Sequence, residues 1–175
     1  SDLLYSSTPA LKRELFNSTR HPNIAVGTIY KSIDPNHILT HKKRKKVIGY
    51  TGFGHSQDLE TIEDALIEVL NTHPDWRLEL IGTIIPSNKL RSLGCQITLI
   101  PPENDYDSFI SLLKSRKWSI GICPLIDNRF NSLKANTKWV EYSFCNIATI
   151  ASDSPVYTNG IRSTSIRTCK SYNEW

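Results

Sequence analysis

VIGYTG, at residues 47–52, is an apolar run that ends in glycine, which is typical of a buried strand and its exit turn. The next segment, 58–72, carries apolar residues at the helical period: Leu59, Ile62, Leu66, Val69 and Leu70. The segment LELIG, at 78–82, predicts another strand. This order predicts two parallel strands that are joined by a helix.

The same alternation continues toward the C-terminus. Strands are predicted at 96–100, 119–124 and 148–152, and helices around 89–93 and at 106–116 and 133–145. Short strand–helix–strand units build a parallel sheet with helices on both faces, and their crossovers are right-handed. The sequence therefore predicts an α/β fold with a Rossmann-like, doubly wound parallel sheet.

Both ends of the chain lie outside this pattern. Residues 1–16 read as a strand end and a helix with no place in the sheet, and we expect them to be the remnant of a preceding N-terminal domain. Residues 17–46 are rich in Pro, His, Asn and Lys, which predicts an interdomain linker. Residues 47–175 are then the Rossmann-like domain, which we expect to be truncated at its C-terminus because a new helix pattern begins there.

Composition narrows the class of protein. The 175 residues suit one domain, and no apolar run approaches the roughly 18–20 residues of a membrane span. The basic run HKKRKK at 41–46 lacks aromatic interleaving, so a solvated linker is favoured over a nucleic-acid site, although peripheral contact with a membrane is compatible with it. The four cysteines are widely spaced without a CxxC pair, which predicts reduced thiols and no bound metal. Reduced thiols favour a cytoplasmic protein, which would lie at the inner face of the membrane if it contacts one.

A first candidate site is the turn TGFGHS at 51–56. Its glycines, Gly54 included, free the backbone to point N–H groups at an anion, and Ser56 is placed to cap the next helix. His55 is a candidate for a hydrogen bond to a phosphate or a sugar. However, Asp58 would repel phosphate from the first helical turn, and a purely structural turn is an equally good interpretation.

A second candidate site lies in 127–142, where the chain leaves a strand and enters a helix. Helical spacing places Lys134, Lys138 and Glu141 within an arc of about 60°. The ammonium groups could neutralise a diphosphate, and the carboxylate could accept the hydroxyl protons of a ribose. The alternative is a surface helix with an ordinary Lys138–Glu141 ion pair.

The order of these motifs resembles the C-terminal half of a GT-B fold, and it is most similar to the bacterial "group 1" retaining glycosyltransferases that build cell-surface polysaccharides. The similarity is most specific in IGICPL, FNSLKANTKWVEY and NIATIAS, within residues 120–157. Asn146 stands where the family usually has glycine, and asparagine also adopts the left-handed helix cap. YSSTPALK at 5–12 resembles the end of the N-terminal domain, and residues 29–35 resemble the interdomain hinge.

The resemblance implies roles for individual residues. It matches Glu141 to the glutamate that binds the nucleotide ribose, and makes Lys134 and Lys138 candidates for the diphosphate. Gly54, His55 and Asn131 complete the predicted nucleotide-sugar site. Many family members carry a glutamate eight positions before the ribose-binding one, where this chain has Leu133, so Asp127 or Asn131 would have to replace it. The family's Arg and Lys pair after the first strand is also not evident after Gly54.

The implied activity is transfer of a sugar from a nucleoside-diphosphate sugar, without a metal or other cofactor, to a glycan or lipid-linked acceptor bound by the other domain. We expect the chain alone to bind nucleotide without transferring sugar. A GT-B-type nucleotide-sugar epimerase and a non-catalytic Rossmann-like binding module are the alternatives. An NAD domain is disfavoured because Gln57 stands where its glycine motif needs a third glycine.

Overall fold

The computed structural model describes residues 2–30, 43–159, 161 and 163–175. In this part of the chain one parallel sheet contains six strands: β3 (Lys45–Gly52), β4 (Arg77–Gly82), β5 (Ile97–Ile100), β6 (Trp118–Cys123), β7 (Ala148–Ser152) and β8 (Ile166–Cys169). Their order is β5-β4-β3-β6-β7-β8. The strand order therefore reverses between β3 and β6, the topological switch point of a doubly wound fold.

The predicted fold class is confirmed, because the described strands match the predicted ones closely. The predicted strand 148–152 and helix 106–116 coincide with β7 and with α5 (Tyr106–Arg116). Asn146 has φ +62°, the left-handed conformation expected of it. The sequence missed β8, where the alternation of apolar and polar residues is weak.

Two predicted helices are interrupted in the structure. Residues 58–72, predicted as one helix, form α2 (Ser56–Glu60) and α3 (Glu63–Thr72), and the Thr61 hydroxyl donates to the carbonyl oxygen of Asp58 at the break. Residues 133–145, predicted as one helix, begin outside helical structure. There α6 (Arg129–Ser132) is followed by α7 (Thr137–Phe144).

The sheet is covered on both faces by buried apolar residues. One face carries the cluster around Trp118 and Tyr142, beneath α5 and α7. The other face carries the cluster around Tyr50, Leu59 and Leu70, beneath α2, α3 and the short α4 (Asn88–Arg91). Another short helix, α8 (Pro155–Thr158), follows β7 and begins after Ser154, whose hydroxyl caps it.

The N-terminal residues form a separate unit. β1 (Leu4–Ser6) and β2 (Ile24–Val26) pair in parallel, with α1 (Pro9–Thr19) between them. The helix therefore runs three residues past 16, and β2 lies within 17–46, the range predicted as a linker. The Thr8 hydroxyl donates to the carbonyl oxygen of Leu133 at 2.9 Å, so the unit contacts the loop that precedes α7.

Parts of two predicted segments lie outside the described residues. Residues 31–42 include most of the predicted hinge 29–35 and the first two positions of the basic run 41–46. Of that run, Arg44 donates to the carbonyl oxygens of Cys145 and Asn146 at the end of α7. No helix in the described part of the chain is long and apolar enough to cross a membrane.

Candidate functional site

A pocket of about 400 Å³ lies at the carboxyl ends of β3 and β4, beside the switch point. The loop after β3, the loop after β5 and the start of α7 form its walls. Its lining residues are Thr51, Gly52, Phe53, His55, Ile81, Pro102, Glu103, Asn104, Asp105, Tyr106, Phe109, Thr137, Lys138 and Glu141. Ligands of open parallel sheets bind at such an edge, which makes this pocket the candidate site.

Glu141 is a buried carboxyl group in the wall of the pocket. It lies in the second turn of α7 and is 8% exposed. Burial raises its pKa to about 7, although the nearby ammonium of Lys138 opposes the shift. Lys138 lies in the first turn of the same helix, three residues earlier, and therefore on the same face. The pair thus presents one cation and one titratable acid to the pocket.

Lys134 does not share this helix, so the predicted arc of three residues on one helix is wrong. The carbonyl oxygen of Leu133, which a continuous helix would bond to the N–H of Thr137, instead accepts from Thr8. The Nζ of Lys134 lies 5.0 Å from the ring centroid of Phe130. Even so, Lys134 and Lys138 both lower the pKa of His55, which places both charges within electrostatic reach of that ring.

The turn after β3 lies close against the end of β4 and the loop that follows it. A Cβ on Gly82, which has φ +119°, would lie 2.1 Å from the carbonyl oxygen of Gly52. The N–H of Gly54 donates to the Thr83 hydroxyl at 3.0 Å, although an anion cradle would require it to point into the pocket. Ser56 does not cap α2, because its hydroxyl accepts from the N–H of Ile85. The backbone of this turn is thus held by the loop after β4.

His55 lines the pocket and is held by a buried carboxylate. Its Nδ1 lies 3.0 Å from Oδ2 of Asp58, and the Asp58 side chain is 5% exposed. Burial, and then the charges of Lys138 and Lys134, hold the pKa of His55 below its ordinary value, against the opposing effect of Asp58. The sequence predicted only that Asp58 lies in a first helical turn and would repel phosphate, and it did not indicate this role.

Asn131 is buried beside Asp58 and does not line the pocket. Its Nδ2 donates to Oδ1 of Asp58 at 3.3 Å and to the carbonyl oxygen of Ile126 at 2.9 Å. Asp127, the other residue considered in place of a second glutamate, lines a different pocket of about 550 Å³ beside Ser152 and Lys170. Neither side chain therefore replaces the family's second glutamate in the pocket that contains Glu141.

Across residues 2–30, 43–159, 161 and 163–175, no group of three or more His, Cys, Asp and Glu side chains is arranged to hold a metal ion. Of the described cysteines, Cys123, Cys145 and Cys169 are buried and Cys95 is exposed, and they form no disulfide with one another.

No protein-family model matches the sequence, and no curated protein matches it by sequence. Solved structures do share its fold. TarM, known from S. aureus, is 11% identical with a TM-score of 0.65, over 98% of this chain and 34% of TarM. The pneumococcal O-GlcNAc transferase GtfA, solved with UDP and GlcNAc, is 15% identical with a TM-score of 0.60, over 97% of this chain and 34% of GtfA.

A third similar structure is the C-terminal domain of LpcC, a group 1 family glycosyl transferase from Francisella tularensis. It is 18% identical with a TM-score of 0.53, over 74% of this chain and 71% of that domain. These proteins are GT-B glycosyltransferases. The chain therefore has the fold of part of a GT-B glycosyltransferase, and it spans about a third of the length of TarM and of GtfA.

Proposed function

We propose that this chain is the donor-binding part of a glycosyltransferase that uses a nucleoside-diphosphate sugar. One observation carries the proposal: Lys138 and Glu141 meet in one pocket at the switch point of a sheet with the GT-B fold. A cation for a diphosphate and a carboxylate for a ribose are the two groups that a nucleotide sugar requires. A pocket of about 400 Å³ is also within the ordinary range for such ligands.

Glu141 holds the ribose in this proposal. An ionised carboxylate has two acceptor oxygens, which match the two adjacent hydroxyls of a ribose. Because its pKa is about 7, a bound ribose that donates to both oxygens favours the ionised form. Binding should therefore release a proton near neutral pH.

Lys138 and Lys134 neutralise the diphosphate. During transfer, negative charge develops on the departing nucleoside diphosphate, and cations fixed in advance stabilise it without reorganisation. In this proposal the two ammonium groups supply the positive charge that the departing diphosphate needs. The nucleobase then lies against the wall formed by Tyr106 and Phe109, whose ring centroids are 6.2 Å apart.

The remainder of the reaction requires more protein than this chain contains. We infer that residues 1–16 belong to the preceding acceptor-binding domain and that 17–46 lead from it to the Rossmann-like domain. The acceptor, a glycan or a lipid-linked sugar of cell-surface polysaccharide synthesis, would bind mainly to that domain in the cytoplasm, at the membrane surface. Closure of the two domains would complete the site. We therefore expect nucleotide binding by this chain, and no transfer.

The test is calorimetric titration of the chain with UDP, GDP, ADP, TDP and NAD. UDP comes first because GtfA was solved with UDP. We expect one diphosphate to bind selectively and Glu141→Gln to weaken that binding about tenfold or more, since a hydrogen bond to a charged group contributes about 1.5–3 kcal/mol.

Glu60→Gln is the matched control, because Glu60 is an exposed glutamate on α2 outside the pocket. It should bind the same diphosphate as the unmodified chain does. Equal binding by Glu141→Gln and Glu60→Gln would contradict the assignment of the ribose to Glu141. Failure of all five nucleotides to bind would contradict the proposed function of this chain, and transfer by the chain alone would contradict its expected inactivity.

A further inference from the structure

Asp58 joins both sides of the switch point through its buried carboxylate. Oδ1 accepts from the N–H of Ile126 at 3.0 Å, in the loop after β6, and from Nδ2 of Asn131 at 3.3 Å. Oδ2 lies 3.0 Å from Nδ1 of His55, in the loop after β3. A single side chain thus joins the loop after β3, which lines the pocket, to the loop after β6.

These partners determine which nitrogen of His55 carries the proton. An ionised carboxylate only accepts hydrogen bonds. In the hydrogen bond between Oδ2 of Asp58 and Nδ1 of His55, the histidine must therefore be the donor. The neutral ring is therefore protonated on Nδ1, and Nε2 keeps its lone pair. Within the described residues, Nε2 has no hydrogen-bond partner, and the ring lines the pocket.

The surroundings also favour the neutral ring. Lys138 on α7 and Lys134 in the loop before α7 face His55 with positive charge, and burial adds to their effect. Asp58 is the opposing negative charge. The net result is a pKa of His55 below its ordinary value, so the ring is mostly neutral at pH 7 and above.

We propose that Asp58 is a positioning residue that holds His55 as the Nδ1-protonated tautomer. Nε2 of His55 then accepts a hydrogen bond from a hydroxyl group of the bound nucleotide sugar. This inference rests on the proposed function. A phosphate oxygen has no proton to give to Nε2, and the lysines already supply the donors that a diphosphate needs. His55 therefore recognises a hydroxyl group, although its position beside two lysines would by itself indicate a phosphate ligand.

The first experiment reads the tautomer directly, by long-range ¹H–¹⁵N NMR of the histidine rings in the whole chain. At pH 7.5 we expect His55 to be neutral with its proton on Nδ1. In Asp58→Asn, the amide oxygen would accept from Ile126 and Asn131 while the amide NH₂ faces Nδ1, so the ring proton should move to Nε2. A merely structural role for Asp58 would not change the tautomer.

The matched control is Asp64→Asn, because Asp64 is an exposed aspartate on α3 that pairs with Lys89. It should leave the His55 tautomer unchanged. A proton on Nε2 in the unmodified chain would overturn the inference. That outcome can be read without any variant, so it stands even if Asp58→Asn fails to fold.

The second experiment measures affinity for UDP-glucose and for UDP. His55→Asn keeps an amide donor for Asp58 but deletes the position of Nε2, and His55→Gln offers an amide oxygen there. We expect His55→Asn to weaken UDP-glucose binding about three- to tenfold, as loss of one hydrogen bond does, and His55→Gln to restore part of it. UDP binding should weaken equally if the hydroxyl is on the ribose, and less if it is on the sugar.

The two proposals fail in different ways. If the unmodified chain binds UDP-glucose and UDP, but His55→Asn binds them equally well, the role of His55 is refuted while the proposed function stands. If neither compound nor any other nucleotide binds the unmodified chain, the proposed function fails first.

Discussion

Lys138 and Glu141 lie on one face of α7, and the ammonium of Lys138 opposes the burial that raises the pKa of Glu141. The cation does not cancel the effect of burial, because the pKa still reaches about 7. The chain therefore keeps a carboxyl group where its ionisation is unfavourable in the folded state. Such a cost is typical of functional sites, where a group is poised for a ligand and not for stability.

The first prediction concerns stability and pH. The folded-state pKa of Glu141 is raised above its unfolded value, so the unfolded state releases this proton first as pH rises from 4.5 to 7. Ionisation of Glu141 should therefore reduce the free energy of unfolding across that window, by about 3 kcal/mol in total. Glu141→Gln should be more stable than the unmodified chain at pH 8, and the difference should shrink toward pH 4.5.

Urea unfolding at a series of pH values measures this difference. Glu60→Gln again serves as the control, because an exposed glutamate has little effect on stability. A loss of stability in Glu141→Gln at pH 8 would contradict the prediction. A gain in stability together with a loss of nucleotide binding would separate the two roles of the residue.

The second prediction concerns Lys138. Lys138→Met keeps much of the side-chain volume but removes the charge that opposes burial, so the pKa of Glu141 should rise further above 7. The pKa of His55 should also rise, since Lys138 helps to lower it. Nucleotide affinity should fall about tenfold or more and should become less dependent on salt.

NMR titration of Glu141 and His55, with calorimetry at two salt concentrations, tests these effects together. Lys89→Met is the control, because Lys89 is exposed and pairs with Asp64 on the other side of the sheet. Unchanged titration of both groups in Lys138→Met would show that the ammonium does not act on them.

Much of the fold follows from the sequence because each central strand is a short, mostly apolar run. VIGYTG and LELIG are buried between two helical layers, and such runs are detectable without knowledge of their neighbours. The edge strand β8 was missed because Ile166 and Cys169 enclose polar residues, and its pairing with β7 supplies what the pattern does not. The break between α2 and α3 was missed because Leu59, Ile62 and Leu66 keep the helical period across it.

The candidate site was predictable where it depends on local order. His55, Lys138 and Glu141 follow the carboxyl ends of strands, and the structure brings them to one pocket. The role of Asp58 was not predictable, because its partners Ile126 and Asn131 lie 68 and 73 residues away in sequence. The single helix expected to carry Lys134 was wrong, and at that position the carbonyl oxygen of Leu133 accepts a hydrogen bond from Thr8, 125 residues away in sequence.

The third prediction concerns the close approach of β3 and β4. Gly82 has φ +119°, which L-residues rarely adopt, and its added Cβ would meet the backbone oxygen of Gly52. Gly82→Ala should therefore reduce the free energy of unfolding by about 2 kcal/mol or more, because backbone atoms cannot move aside cheaply.

Gly94→Ala is the matched control. Gly94 has φ +58°, but no atom lies near its added Cβ, so the substitution should reduce the free energy of unfolding by about 1 kcal/mol. Equal losses would mean that conformation, and not the contact with Gly52, governs the effect.

The fourth prediction concerns Glu79, whose response to pH is opposite to that of Glu141. Burial works against its ionised form, but Arg116 Nε and Trp118 Nε1 each donate to Oε2 at 2.7 Å, and these bonds hold the pKa of Glu79 below its ordinary value. The ionised Glu79 stabilises the folded state above the pKa that it has in the unfolded chain. This contribution is lost as the pH falls through the lower pKa of the folded state.

Glu79→Gln should therefore reduce the free energy of unfolding by about 3 kcal/mol at pH 7, because it leaves Arg116 without its carboxylate, and by less at pH 3. Nucleotide binding should not change, because Glu79 does not line the pocket. Urea unfolding at both pH values tests the difference, and an equal loss of stability at both would show that shape, and not charge, is what Glu79 contributes.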